Sequence, residues 1–142
     1  LEVYYATGKT ITEQNAASKL TPSPYRFILC ALSCERECLY ERINRRVDQM
    51  VQSGLFDEVA SLLSGGVSAD AQSMQGIGYK EVVQCLNGET TKEACIETIK
   101  QNSRRYAKRQ LTWFRRGQYR WFDCTSPDLY ESVRRYIGEY GI

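Results

Sequence analysis

Two arginines and one acid-free stretch are the places where residue type and spacing can do chemistry. Arg42 and Arg46 stand four positions apart with no acid three or four residues away, whereas Arg45 has Glu41 and Asp48 at those spacings. Two unanswered guanidiniums one helical turn apart form a fork for a phosphate or diphosphate. Two solvated arginines on a helix face would leave the same pattern. From Gln101 to Arg120 there are seven basic residues (Arg104, Arg105, Lys108, Arg109, Arg115, Arg116 and Arg120) and no acid. That segment carries +7, so the other 122 residues sum to −5. On a helix, Arg104 would repel Lys108 and Arg105 would repel Arg109 by about 0.2–0.5 kcal/mol per pair. An external anion is expected to answer them, against the plainer reading of a solvated basic face. Tyr106, Trp113 and Phe114 are interleaved with these cations, and aromatic planes beside guanidiniums suit RNA. For Trp113 and Phe114 themselves a core role is expected, because they fall where the helix must pack.

A third segment, Gly76-Ile77-Gly78-Tyr79-Lys80, sets two glycines, an aromatic and a cation at the start of an expected helix. By itself it reads as a turn. It is not a P-loop, since G-x-x-x-x-G-K-[ST] occurs nowhere in the chain. The absence of histidine removes imidazole acid–base catalysis and His-ligated metal sites. Six cysteines show no C-x-x-C pair, and Cys34 and Cys38 are spaced as on a helix. That spacing predicts free thiols in a cytoplasmic protein rather than disulfides or a zinc site.

The elements that must position these residues follow from periodicity. Leu1 to Thr7 reads as a helix end stopped by Gly8, and a short helix is expected from about Thr12 to Ser18 before the break at Thr21-Pro22-Ser23-Pro24. Tyr25 to Leu32 is a nearly continuous apolar run, hence a buried strand, with Ser33 as N-cap of the next helix. That helix should run from about Cys34 to Ser53, burying Leu39, Ile43, Val47, Met50 and Val51. Further helices are expected around Phe56–Leu63, after Lys80 to Leu86, from a Thr90/Glu93 capping box to about Arg115, and after Ser126-Pro127. Tyr119–Asp123 reads as a second strand. The expected class is α/β, mainly helical with about two short strands, whose missing partners and lack of an initiator Met suggest a piece of a longer protein. With 142 residues, 42% of them apolar and 25% charged, the chain is an ordinary single domain without a membrane span.

Taken together, the segments Leu1–Thr10, Leu39–Arg46 with Met50 and Ser53-Gly54, Gln75–Lys80 and Arg105–Arg115 resemble the C-terminal half of the tRNA dimethylallyltransferase (tRNA isopentenyltransferase) family. The resemblance covers the chain to about Cys124, and the last of these segments is the most specific. It implies transfer of a dimethylallyl group from dimethylallyl diphosphate to N6 of the adenosine 3′ of the anticodon. It also implies a P-loop-type core, with residues 1–22 ending a helical insertion that grips the tRNA anticodon arm and residues 23–142 forming the C-terminal part of the core. The family's phosphate loop and catalytic Asp lie in its N-terminal half and not in this sequence, so the chain alone is expected to be inactive.

By position, Arg46 matches the family arginine near the diphosphate, with Arg42 in support. Gln75, Gly76, Ile77, Gly78, Tyr79 and Lys80 match one tRNA-touching segment. Lys108, Arg109, Gln110, Thr112, Trp113 and Arg115 match another, which Arg104 and Arg105 extend. The sequence departs from some members at Gln75-Gly76, where they carry a basic residue and a cysteine. Mg2+ and a monomeric intact enzyme are further implications. Two other functions fit the same charges: a non-catalytic RNA-binding module, and a prenyltransferase acting on free adenine nucleotides.

Overall fold

The computed structural model describes residues 2–20 and 22–140, so Leu1 and Thr21, each part of a segment singled out above, lie outside the described residues. In chain order come α1 (Glu2–Thr7), α2 (Ile11–Leu20), β1 (Cys30–Ser33), α3 (Arg36–Gln52), α4 (Leu55–Ser64), a 3-10 turn (Gln72–Gln75), α5 (Tyr79–Leu86), α6 (Lys92–Phe114), β2 (Arg120–Asp123) and α7 (Leu129–Gly138). The strands pair in parallel, from Cys30 opposite Arg120 to Ser33 opposite Asp123. Parallel neighbours need a crossover, and here it consists of α3 to α6.

The core lies inside that crossover. Val47 of α3, Leu55 and Val59 of α4, Met74 of the 3-10 turn, Val82 and Val83 of α5, and Cys95 and Ile99 of α6 form one buried cluster. The spacing is the helical period read from each segment, but of the stripe expected on α3 only Val47 is fully buried: Met50 and Val51 pack against the cluster, while Leu39 and Ile43 are half-buried outside it. Gly54, at φ 97°, adopts the left-handed conformation that lets α4 start directly after α3. Outside the core, α7 lies against β2 with Tyr136 edge-on to Phe122, ring centroids 5.8 Å apart. At the other end, Thr10 and Glu13 cap α2 reciprocally: the Glu13 carboxylate accepts from the Thr10 backbone N–H and the Thr10 hydroxyl accepts from that of Glu13.

Four expectations are corrected. The apolar run Tyr25–Leu32 is not a buried strand: only its end enters β1, and Tyr25 and Leu32 are 73% and 56% exposed. Strands of a parallel sheet are buried by layers and neighbours on every side, and among the described residues β1 has one strand beside it. Ser33 belongs to β1, its carbonyl taken by the Cys124 N–H, so Glu35 becomes the N-cap of α3. The hydroxyl that caps α6 is that of Thr91, accepting from the Ala94 N–H at 3.2 Å, rather than that of Thr90. Before α7, Ser126 and Pro127 form a turn, and Asp128 is the N-cap.

Candidate functional site

Just past the carboxyl ends of the two parallel strands the chain opens a cleft of about 800 Å³. Leu32, Ser33 and Cys34 leave β1 along one wall and Cys124 follows β2. A second wall is the outer face of α3, with Arg42, Arg45, Arg46 and Gln49; the third is α6, with Ala107, Gln110, Leu111 and Phe114. Ligands of parallel α/β sheets bind in this position, outside the carboxyl ends of the strands. Among the described residues three guanidiniums and no carboxylate line the cleft. Such a lining can hold an anion.

Arg42 is oriented by an Nη1–H donated to Cys124 Sγ at 3.2 Å. Arg46, also exposed, has no ion pair among the described residues. Arg45 departs from the local charge accounting. Asp48, expected to answer it, lies 2.8 Å from the Lys100 ammonium across the α3–α6 interface. No ion pair to Glu41 takes its place among the described residues. Lys100 is mostly buried and also bonds Glu97, so it holds Asp48 toward α6 and leaves Arg45 to the cleft. All three cations thus face one space.

The C-terminal half of α6 emerges from the core and presents the acid-free residues. Helical geometry puts Arg105, Arg109 and Thr112 in one row, with Lys108 and Arg115 on one flank and Tyr106 and Trp113 on the other. All seven are exposed. The Arg109 guanidinium lies over the Tyr106 ring, 5.7 Å from its centroid. Arg104 is the exception, half-buried and donating to Asn44 Oδ1 of α3 at 2.6 Å, so it ties α6 down. Trp113 corrects the expectation of a core aromatic. It is 62% exposed, edge-on to Phe114 with ring centroids 5.1 Å apart and tilted toward Tyr119. The helix is past the core by this point, so most of the indole stays exposed.

The Gln75–Lys80 segment lies elsewhere, and none of its residues lines the cleft. Gln75 donates its side-chain amide to the Ala69 carbonyl at 3.1 Å. Gly78 takes φ 103° and ψ −57°, a conformation open only to glycine, and a Cβ there would meet Met50 of α3. The Tyr79 hydroxyl donates to Glu58 of α4, while Gly76, Ile77 and Lys80 are exposed. The structure therefore gathers Arg42, Arg46 and Gln110 in one cleft, sets the rest of the basic helix beside it, and holds the glycine turn apart.

Sequence reasoning passed over Arg45, Gln49 and Cys124 as cleft residues and Asn44 as the anchor of Arg104. Cys124 is 82 residues from Arg42 and reaches it only through strand pairing, so no local signal points to it. All six cysteines are free thiols. Burial, then hydrogen bonds with Cys124 and Cys38, pushes Cys34 up to about 11. No group of three or more Cys, Asp or Glu side chains among the described residues is arranged for a metal ion. Mg2+ favours carboxylate oxygens, and a cleft whose charged lining among the described residues is three guanidiniums does not fit it.

Fold and site define a mainly helical α/β chain whose two parallel strands end at a cleft lined by three arginines, with a basic helix alongside. It belongs to the IPP transferase family, whose model matches residues 1–117. It is 52% identical over 134 residues to a tRNA dimethylallyltransferase of Halalkalibacterium halodurans, covering 94% of this chain and 42% of the relative. Over 122 residues it is 48% identical to that of Pelotomaculum thermopropionicum, covering 85% and 38%. The tRNA isopentenylpyrophosphate transferase structure from Staphylococcus epidermidis superposes with a TM-score of 0.76 at 38% identity, over 97% of this chain and 46% of that one. The one from Bacillus halodurans gives 0.75 at 47% identity, over 91% and 43%. The chain spans less than half the length of the curated relatives it matches.

Proposed function

We propose that this chain is the C-terminal part of a tRNA prenyltransferase that moves a dimethylallyl group from dimethylallyl diphosphate to N6 of the adenosine 3′ of the anticodon. The observation that carries the reading is the three-arginine cleft at the carboxyl ends of the parallel strands, with the basic and aromatic face of α6 beside it. Relatives bearing the name tRNA dimethylallyltransferase support it. In this reading residues 23–142 complete a P-loop-type core and residues 1–22 end the insertion that grips the anticodon arm. The intact enzyme is a cytoplasmic monomer that works with Mg2+.

The reaction forms a bond from N6 to C1 of the dimethylallyl group as the C1–O bond breaks. The electron pair of that bond stays on the departing diphosphate, whose charge therefore grows in the transition state. Guanidiniums fixed in a cleft stabilise that charge more than they stabilise the bound substrate, and so lower the barrier. Arg46 and Arg42 are assigned this role, Arg42 held in aim by Cys124. The N6 proton leaves to a base supplied by the remainder of the enzyme. The adenine must leave its stack for N6 to reach the donor, and the exposed Trp113, Tyr106 and guanidiniums of α6 offer planes and charges to the surrounding RNA.

In the full-length enzyme, Arg46→Ala should lower kcat/KM for dimethylallyl diphosphate by the equivalent of about 2–4 kcal/mol, the scale for one preorganised donor to a developing anion. Its tRNA affinity should stay close to that of the unaltered enzyme. Because Arg45 shares the cleft, Arg45→Ala should also weaken the prenyl donor, rather than remove only an exposed helix pair. Steady-state kinetics with each substrate varied in turn decides this. Unchanged donor kinetics in both variants would sink the assignment of the cleft.

A further inference from the structure

We propose that Glu81 is a positioning residue that holds the Gln75–Lys80 segment and the basic half of α6 as one RNA-facing unit. The proposal rests on the tRNA reading above. Glu81 is 6% exposed, the one charged side chain among the buried residues described. One carboxylate oxygen, Oε2, accepts from the Gly78 backbone N–H at 2.7 Å, and the other, Oε1, accepts from Asn102 Nδ2 of α6 at 2.8 Å. Among the described residues no cation pairs with it. A buried carboxylate without a counter-charge is costly, and Glu81 is followed directly by Val82 and Val83 of the apolar core. What the carboxylate holds must therefore account for it.

It holds two things. Through Oε2 it fixes the N–H of Gly78, the residue whose backbone gives the segment its shape. Capping α5 needs only that one oxygen. Through Oε1 it reaches Asn102, which stands one helical turn before Arg105 and shares a helix with Lys108 and Arg109. The segment's other anchors run to the Ala69 carbonyl and to Glu58 of α4, not to α6. Glu81 thus joins the glycine turn to the basic helix by direct hydrogen bonds at both of its oxygens.

In the full-length enzyme, Glu81→Ala should weaken tRNA binding by about tenfold, as loss of hydrogen bonds to a charged group implies. Neither kcat at saturating tRNA nor the KM for dimethylallyl diphosphate should move. Glu81→Gln should restore most of the affinity, because its carbonyl can still accept from Gly78 and the Asn102 amide can turn to accept from its NH2. Asn102→Ala should show part of the loss, and the Glu81→Ala/Asn102→Ala double variant no more than Glu81→Ala. Lys108→Ala is measured alongside. If Lys108→Ala weakens tRNA binding while Asn102→Ala and Glu81→Ala do not, the positioning role is wrong and the tRNA reading stands. If Lys108→Ala also leaves tRNA binding unchanged, the tRNA reading fails first. Should Glu81→Ala not fold, unaltered tRNA affinity in Asn102→Ala overturns the proposal by itself.

Discussion

At the residue scale, side chains with equal sequence standing are separated by what surrounds them. Asp48 sits three residues from Arg45 yet pairs with Lys100, because the partner on α6 is itself half fixed by burial and by Glu97. The thiols divide in the same way. Burial, then neighbouring groups, pushes Cys95 up to about 11, as burial and the two adjacent thiols do for Cys34, while Cys30 is exposed. The thiolate is the reactive form, so an alkylating reagent at pH 8 should label Cys30 first and Cys95 last, as peptide mass spectrometry would record. The same shifts bear on stability. A thiol whose folded value is raised above the unfolded 9.0 keeps its proton longer when folded, so its contribution is full below about pH 9 and is lost as pH rises toward 11. Tyr79, raised chiefly by its hydrogen bond to Glu58, adds to the loss at higher pH. Melting temperatures should therefore fall between pH 8 and 10.5, and less steeply in Cys95→Ala. A flat or rising profile for the unaltered protein would contradict this.

At the scale of elements, the positions of caps decide where the helices begin. Thr90 and Thr91 are adjacent and chemically identical, and Glu93 makes the first look like half of a capping box. The hydroxyl that bonds an N–H of the first turn of α6 is that of Thr91. Thr91→Ala should cost about 1 kcal/mol of unfolding free energy, whereas Thr90→Ala should stay within about 0.5 kcal/mol of the unaltered protein. Urea denaturation of the two variants checks it, and equal losses would mean the helix starts elsewhere. The interface of α3 with α6 belongs to this scale too. Asn44–Arg104 and Asp48–Lys100 fasten the two helices one turn apart along α3. The walls of the cleft therefore keep their spacing without a ligand.

At the scale of the whole molecule, the charge is sorted in space. The cleft takes Arg42, Arg45 and Arg46, and α6 carries Arg105, Lys108 and Arg109, with Arg115 at its C-cap, beyond the core beside it. In the full-length enzyme, removing either Lys108 or Arg109 should lower tRNA affinity and reduce the slope of log K against log salt by roughly one unit for each phosphate no longer neutralised. Arg104→Ala should behave differently, losing stability through Asn44 while leaving the salt slope nearly intact. Titrations at several salt concentrations separate the two classes. Identical slopes in the Lys108 and Arg109 variants and the unaltered enzyme would return α6 to a merely solvated face.

Most helices, the turn glycines and the second strand were legible in the sequence, because apolar period and backbone-breaking residues act over one or two turns. The acid-free window and the Arg42/Arg46 fork were legible for the same reason: charge spacing on a helix is local. Tertiary structure alone decided which side of that pattern is used. It put Cys124 beside Arg42 across 82 residues, turned Asp48 away from Arg45, left Trp113 mostly exposed and placed Glu81 between two distant segments. It also left Tyr25–Leu32 largely outside the sheet, although the run is nearly continuously apolar. Periodicity states which residues share a face of an element. What that face meets depends on the crossover that brings β1 to β2 and α3 to α6, and such meetings are set by the packing of the whole chain.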